Sequence, residues 1–171
     1  MNQSEFIKTT NTFKDRMFRL AKRLLVSTEE AEDATQEVLV RLWNNRNKLE
    51  NYSSVEALAI TITKNYCLDQ LKSKRATEMR IVHSNYTDGG TGLQKQAEDR
   101  DSITWVEKIM NTLPEQQKII MQMRDVEQYE FEEIAKMMDM NETAVRVALS
   151  RARKVIREEL TKKHSYGIES N

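Results

Sequence analysis

The chain is poor in the residues that build several common kinds of site. It has one cysteine, Cys67, so no disulfide can form within it. His83 and His164 are its only histidines and lie far apart. With a single cysteine they exclude the usual four-ligand zinc centre, and no metal or other cofactor is expected. Four glycines and one proline are few for a sheet protein, which needs turn residues between short strands. No apolar run approaches the roughly 20 residues that cross a bilayer, and the start, MNQSEFIKTT, has no apolar signal core, so a cytoplasmic protein is expected. Neither a phosphate-cradling glycine loop nor a nucleophile–base arrangement is evident, so the chain is read as no enzyme, with no small-molecule substrate.

What is present is charge, at 32% of 171 residues, balanced to a net of zero. The balance hides segregation. Residues 1–26 carry net +4, 27–40 carry −5, 41–80 carry +4, 81–140 carry −6 and 141–171 carry +3. Screening confines each charge to about 8–10 Å in physiological salt, so a polyanion meeting one basic segment does not feel the neutral average.

Apolar residues recur at helical spacing along most of the chain, which predicts an all-α fold. Phe6, Phe13, Met17, Leu20 and Leu24 place a helix over 4–26. Ser27 with Glu30 reads as a capping box that opens a second helix through Ala31, Ala34, Val38 and Leu42. Ser53 with Glu56 opens a third, through Leu58, Ile62, Cys67 and Leu71, ending in LKSKR. Over 76–102 the periodicity is lost, and DGG with polar neighbours marks a flexible acidic linker, about 30 Å across as a coil and about 90 Å when extended. Periodicity returns at Ile103; Thr112 and Glu115 form another capping box, with Pro114 in the first turn. The architecture expected is two small helical domains, 1–75 and 103–165, on a tether.

The carboxyl-terminal domain ends in NETAVRVALSRARKVIREEL, which carries five cations. On a helical wheel Val145, Ala148, Leu149, Ala152 and Ile156 share one face, and Arg146, Ser150, Arg153 and Arg157 form an opposite stripe with Lys154 and Thr143 beside it. A short helix precedes it, EFEEIAKMM, with small Ala135 where two helices cross, then the tight turn DMN and the good N-cap Asn141. These are the parts of a helix-turn-helix, whose second helix fits the major groove of duplex DNA. Geometry then puts Glu142, Thr143, Arg146 and Ser150 near bases and Arg151, Arg153, Lys154 and Arg157 near phosphates. The bland alternative is a solvated basic face. Asp139 stands where such turns favour glycine, at a modest conformational cost.

The second helix begins STEEAEDATQEVLVRLWNNR, with Asp33, Gln36 and Glu37 on one face. This is either a solvated acidic face or a docking face for a basic protein partner. The blocks EEAEDATQEVLVRLW, ALAITITKNYCLDQLKSKR and LPEQQKIIMQMRDVEQYEFEEIAKMMDMNETAVRVALSRARKVI, in that order, resemble the signature blocks of extracytoplasmic-function (ECF) sigma factors of bacterial RNA polymerase, in the sigma-70 family. The resemblance covers about 5–75 and 103–160. It departs at Ala57, where many relatives carry a large aromatic, at Thr63-Lys64, and at Asp139.

That resemblance implies a transcription-initiation subunit that binds core RNA polymerase and two promoter elements and helps open the duplex. Asp33, Gln36 and Glu37, with Leu42 and Trp43 nearby, would dock on the clamp helices of the largest subunit, and the carboxyl-terminal domain would meet the flap region. The loop at Asn51, Tyr52 and Ser53, with Lys64, Asn65, Asp69, Lys72 and Arg75, would hold the −10 element single-stranded. Lys74 adds charge there, and Tyr52 offers a stacking surface for an unstacked base. The basic helix would read the −35 element. The linker acids Asp88, Glu98, Asp99 and Asp101 would suit a basic channel in the polymerase. An anti-sigma partner, often membrane-bound in such systems, is also implied. The competing reading is a stand-alone helix-turn-helix regulator.

Overall fold

A computed structural model describes residues 1–84 and 104–169, with side chains through His83 and from Thr104 to Ser165. The expected linker acids and Ile103 lie outside the described residues. The elements are helices α1 (Gln3–Asn11), α2 (Lys14–Leu25), α3 (Thr28–Asn44), a 3-10 turn (Arg46–Asn51), α4 (Val55–Ser84), α5 (Trp105–Thr112), α6 (Glu115–Met121) with a π-helical continuation (Gln122–Val126), α7 (Phe131–Met138) and α8 (Glu142–Glu169). No strand occurs among the described residues. None of the described helices is long and apolar enough to cross a membrane.

The first predicted helix is two. Side-chain hydroxyls of Thr10 and Thr12 bond back to the carbonyls of Phe6 and Thr9 at 2.9 and 2.7 Å, and the chain turns at Phe13, which drops into the core. Hydroxyls that compete for backbone carbonyls favour such a break. Two expected caps shift as well. Ser54, not Ser53, caps α4 through the amide of Ala57 at 3.1 Å, because Glu56 is engaged elsewhere. Thr112 bonds back to Ile109, and α6 starts at Glu115 with Pro114 at its N-cap and no side-chain cap bond. The periodic signal missed the capping box of Thr104 and Glu107 that starts α5, and that of Glu130 and Glu133 at α7. Asn141 caps α8 as expected, taking the amide of Ala144 at 2.7 Å.

α4 runs nine residues past the expected end at Arg75, to Ser84. Residues 76–84 contain neither glycine nor proline and include the good helix formers Ala76, Glu78, Met79 and Arg80, so nothing in them stops the helix.

The two helical units are packed together. α2 lies on α6 and α4 on α7, and one continuous apolar core runs from Phe6 and Met17 through Leu42 and Ile60 to Ile120, Ile134 and Leu149. Polar contacts frame the seam. Arg19 forks onto Glu127 with bonds of 2.5 and 2.8 Å, and Arg16 lies 3.6 Å from the same carboxylate. Arg16 also pairs with Glu56, which accepts the Tyr129 hydroxyl at 2.7 Å. Arg23 donates to Gln122 at 3.1 Å, and Arg75 to Glu115 at 2.7 Å. The expectation of two units joined only by a tether therefore needs an addition: in this form they also share a core.

Candidate nucleic-acid interface

α7, the turn and α8 are built as a helix-turn-helix. Ala135 is buried where the helices cross, and Val145 is fully buried where α8 returns to the core. Asp139 ends α7 in the left-handed region at φ 52°, ψ 49°, and the amide of Met140 reaches the carbonyl of Ala135 at 2.9 Å. This is the turn a glycine usually makes; aspartate tolerates it better than most residues.

Packing of Val145, Ala148, Leu149 and Ala152 leaves the opposite side of α8 in solvent. Glu142, Thr143, Arg146, Ser150, Arg151, Arg153, Lys154 and Arg157 are all exposed. Not all are equally free. Asp125 clamps Arg153 through both carboxylate oxygens, one at 3.1 Å from Nε, and this raises the guanidinium pKa above its ordinary value. The Arg146 guanidinium stacks 4.0 Å from the centre of the Phe131 ring. Phe131, Arg146, Leu149, Ser150, Arg153 and Arg157 line a pocket of about 290 Å³ on this side. A helix with one dry side and a basic wet side, led by a tight turn, can enter a major groove and present donors to phosphates and guanine edges.

The second group of predicted contacts is not gathered in one pocket. Asn51, Tyr52 and Ser53 are exposed where the 3-10 turn leads into α4, and Tyr52 is 51% exposed. Asn65, Asp69 and Lys72 are exposed along α4. At 1.5 Å per residue, the helix from Val55 to Arg75 spreads this set over roughly 30 Å, a track rather than a cavity. Three of its cations are already engaged. Lys74 pairs with Glu30 and Arg75 with Glu115. Lys64, expected on the DNA side, is only 8% exposed and donates to the carbonyl of Met137 at 2.8 Å. Its pKa is lowered by burial and partly restored by the carboxylate of Asp139. That carbonyl is at the α7 C-terminus, where carbonyls lack helical partners and the dipole favours a cation.

On α3, Asp33, Gln36 and Glu37 are exposed, with Glu37 holding Arg41 at 3.1 Å. Asp33 borders a pocket with Glu30, Tyr66, Gln70 and Lys74. Leu42 is a correction: at 2% exposure it belongs to the core and supports this face from beneath. Trp43 is half-buried, edge-on to Phe6 at 5.1 Å with Arg46 over its ring. Sequence reasoning missed the seam residues Arg16, Arg19, Glu56, Glu127 and Tyr129. Their contacts join residues 40 to 108 positions apart, and no local pattern encodes such pairs.

An all-helical chain with an exposed helix-turn-helix and a second basic helix track is a DNA-binding protein of transcription. Family models agree and narrow it: sigma-70 region 2 matches residues 10–77 and sigma-70 region 4 matches 103–156. The ECF RNA polymerase sigma factor SigW of Bacillus subtilis (strain 168) is 19% identical over 169 residues, 93% of this chain and 90% of that protein. The ECF RNA polymerase sigma factor SigE of Mycolicibacterium smegmatis is 27% identical over 167 residues, 91% of this chain and 62% of that protein. The sigma factor RpoE of Bartonella quintana, solved with the anti-sigma factor NepR, shares the fold at a TM-score of 0.72 and 20% identity, over 92% of this chain and 97% of that one. CnrH, solved with the cytosolic domain of CnrY, does so at 0.67 and 15%, over 94% and 90%. The chain belongs to the sigma-70 family, as an ECF-type sigma factor of RNA polymerase. Its function is that of the family: to join core polymerase, recognise the −10 and −35 promoter elements and promote opening of the duplex.

Proposed function

We propose that promoter recognition is divided between 1–75 and 103–165, with 76–102 between them, and that the packed form must open before both elements are engaged. α8 reads the −35 duplex, with Glu142, Thr143, Arg146 and Ser150 toward bases and Arg151, Arg153, Lys154 and Arg157 toward phosphates. Asn51, Tyr52 and Ser53, with Lys64, Asn65, Asp69, Lys72, Lys74 and Arg75, hold the parted −10 strand. Asp33, Gln36 and Glu37, with Trp43 at the edge, dock on core polymerase. The chain contributes no catalysis of its own and works in the cytoplasm. An anti-sigma partner, of the kind solved with RpoE, would restrain it by holding it closed.

The carrying observation is the exposure of all eight predicted −35 residues along α8, set against the burial of Lys64 under α7. The two promoter elements lie about two helical turns apart, roughly 70 Å. Lys64 sits within one hydrogen bond of the helix-turn-helix unit, so the packed form holds part of the −10 set against the unit assigned to the −35 element. Run-off transcription and gel shifts with and without core polymerase test the reading. Specific promoter binding should require core. Tight, specific binding by the isolated chain would instead make it a stand-alone regulator.

A further inference from the structure

Arg146 differs from its neighbours on α8 in how it is held. No carboxylate lies within salt-bridge distance of it among the described residues, whereas Asp125 clamps Arg153. Its guanidinium carbon lies 4.0 Å from the centroid of Phe131, the first residue of α7. A second guanidinium, Arg124, lies 4.4 Å from the same centroid. Arg124 is itself tied down, donating to the carbonyl of Tyr129 at 2.9 Å and lying 3.7 Å from Glu130. The half-buried ring forms part of the pocket whose other polar lining is Arg146, Ser150, Arg153 and Arg157.

We propose that Phe131 is a positioning residue for promoter discrimination: its ring, also contacted by Arg124 of the π-helical segment, sets the plane of the Arg146 guanidinium before DNA arrives. The inference rests on the reading that Arg146 faces a −35 base. An arginine side chain has many rotamers, and ordering it on binding costs entropy. A phosphate accepts a guanidinium from many directions, but the paired acceptors of a guanine edge accept it in one plane. A stacking ring therefore adds little to non-specific attraction and much to the choice of base. It does so without adding charge, which an Asp125-type clamp cannot do. An anionic support would cancel part of the attraction for DNA; an aromatic face leaves the cation's charge intact.

The test keeps shape and changes only the ring's electrostatics. Phe131 is replaced in the full chain by mono-, di- and trifluorinated phenylalanine, which weaken the negative ring face step by step. Each protein is assembled with core polymerase and tested for binding to a set of promoters carrying all four base pairs at each −35 position. Phe131→Leu and Phe131→Tyr accompany the series, with Arg146→Ala as reference and melting temperatures as a check on folding. Arg146→Ala should abolish preference at one base pair. Fluorination should erode preference at that same position progressively, reaching about two- to fivefold for Phe131→Leu, the size of an exposed cation–π contact. Phe131→Tyr should retain it. The salt dependence of binding should not change, because no charge is lost. If Arg146→Ala leaves every preference intact, the base-reading role fails and the proposal with it. If Arg146→Ala acts but fluorination does not, the positioning role alone is overturned. Equal loss at all positions would mark the ring as mere packing and overturn it too.

Discussion

On α8, Arg146, Arg151, Lys154 and Arg157 face solvent, whereas on α4 Lys64 is buried beneath α7, Lys74 is paired with Glu30 and Arg75 with Glu115. Both helices carry clusters of cations, α4 mostly in the segment that matches sigma-70 region 2 and α8 mostly in the one that matches region 4. The difference lies in what covers them. α8 packs one side against α5, α6 and α7 and leaves the other free. α4 is held on one side by α2 and α3 and also meets α7. A cation there must leave water, and it is tolerated because the α7 C-terminus offers an unpartnered carbonyl. The same seam gathers Glu127, with a 5% exposed side chain, between Arg16 and Arg19. The comparison teaches that one chain can leave the basic side of one helix in solvent while its own second unit covers Lys64 and pairs with Arg75 on another.

The largest effect separates polymerase docking from this closure. Asp33→Arg with Glu37→Arg should abolish co-purification with core polymerase and leave helicity and compactness intact, since both residues lie away from the seam on exposed α3. Normal co-purification would reject the docking face. Next, Glu127→Arg sets three guanidinium groups together where one carboxylate bridged two. Glu127 is buried but both arginines are partly in solvent, so the lost pairing is worth only about 1 kcal/mol, to which the repulsion of three clustered cations adds; the units should part and the radius of gyration in solution scattering should rise. An unchanged radius would mean that the apolar core alone holds the seam.

Lys64→Met cuts both ways and so sharpens the contrast. It removes a charge-assisted bond of about 1.5–3 kcal/mol, but also the cost of burying the charge. Closure should change little, while opening of promoter DNA with core polymerase should weaken. Permanganate footprinting of the −10 region reads the second effect; undiminished reactivity would dismiss Lys64 from strand holding.

The smallest effect is in pH. Burial lowers the Lys64 pKa below its ordinary 10.5, so the open form binds more protons in the window just beneath that value, and closure should strengthen as pH rises through it. Tyr129 works the opposite way. Its pKa is raised, first by burial and then by Glu56, so the closed form keeps a proton that the open form loses above about pH 10, and closure weakens there. The distance between dyes on the two units should pass through a minimum, and Lys64→Met should flatten the lower limb.

Much of this was legible in the sequence because helices announce themselves locally. The i, i+3, i+4 spacing found α3, α8 and the wet side of α8, and the short helix, DMN turn and buried Val145 found the helix-turn-helix. The ordered blocks carried the family. Local signals failed where competition decided the outcome: Thr10 and Thr12 split the first helix, and Glu56 left its expected capping role for Arg16 and Tyr129.

The sequence by itself determined an all-helical chain with three basic segments and an acidic face, since charge and periodicity are properties of neighbours along the chain. Only the tertiary structure decided that Lys64 is hidden, that Leu42 is core, that Glu127 is bound by two arginines and that Phe131 carries Arg146. Each of these depends on which surfaces remain in water once distant helices meet, and burial has no counterpart in local order.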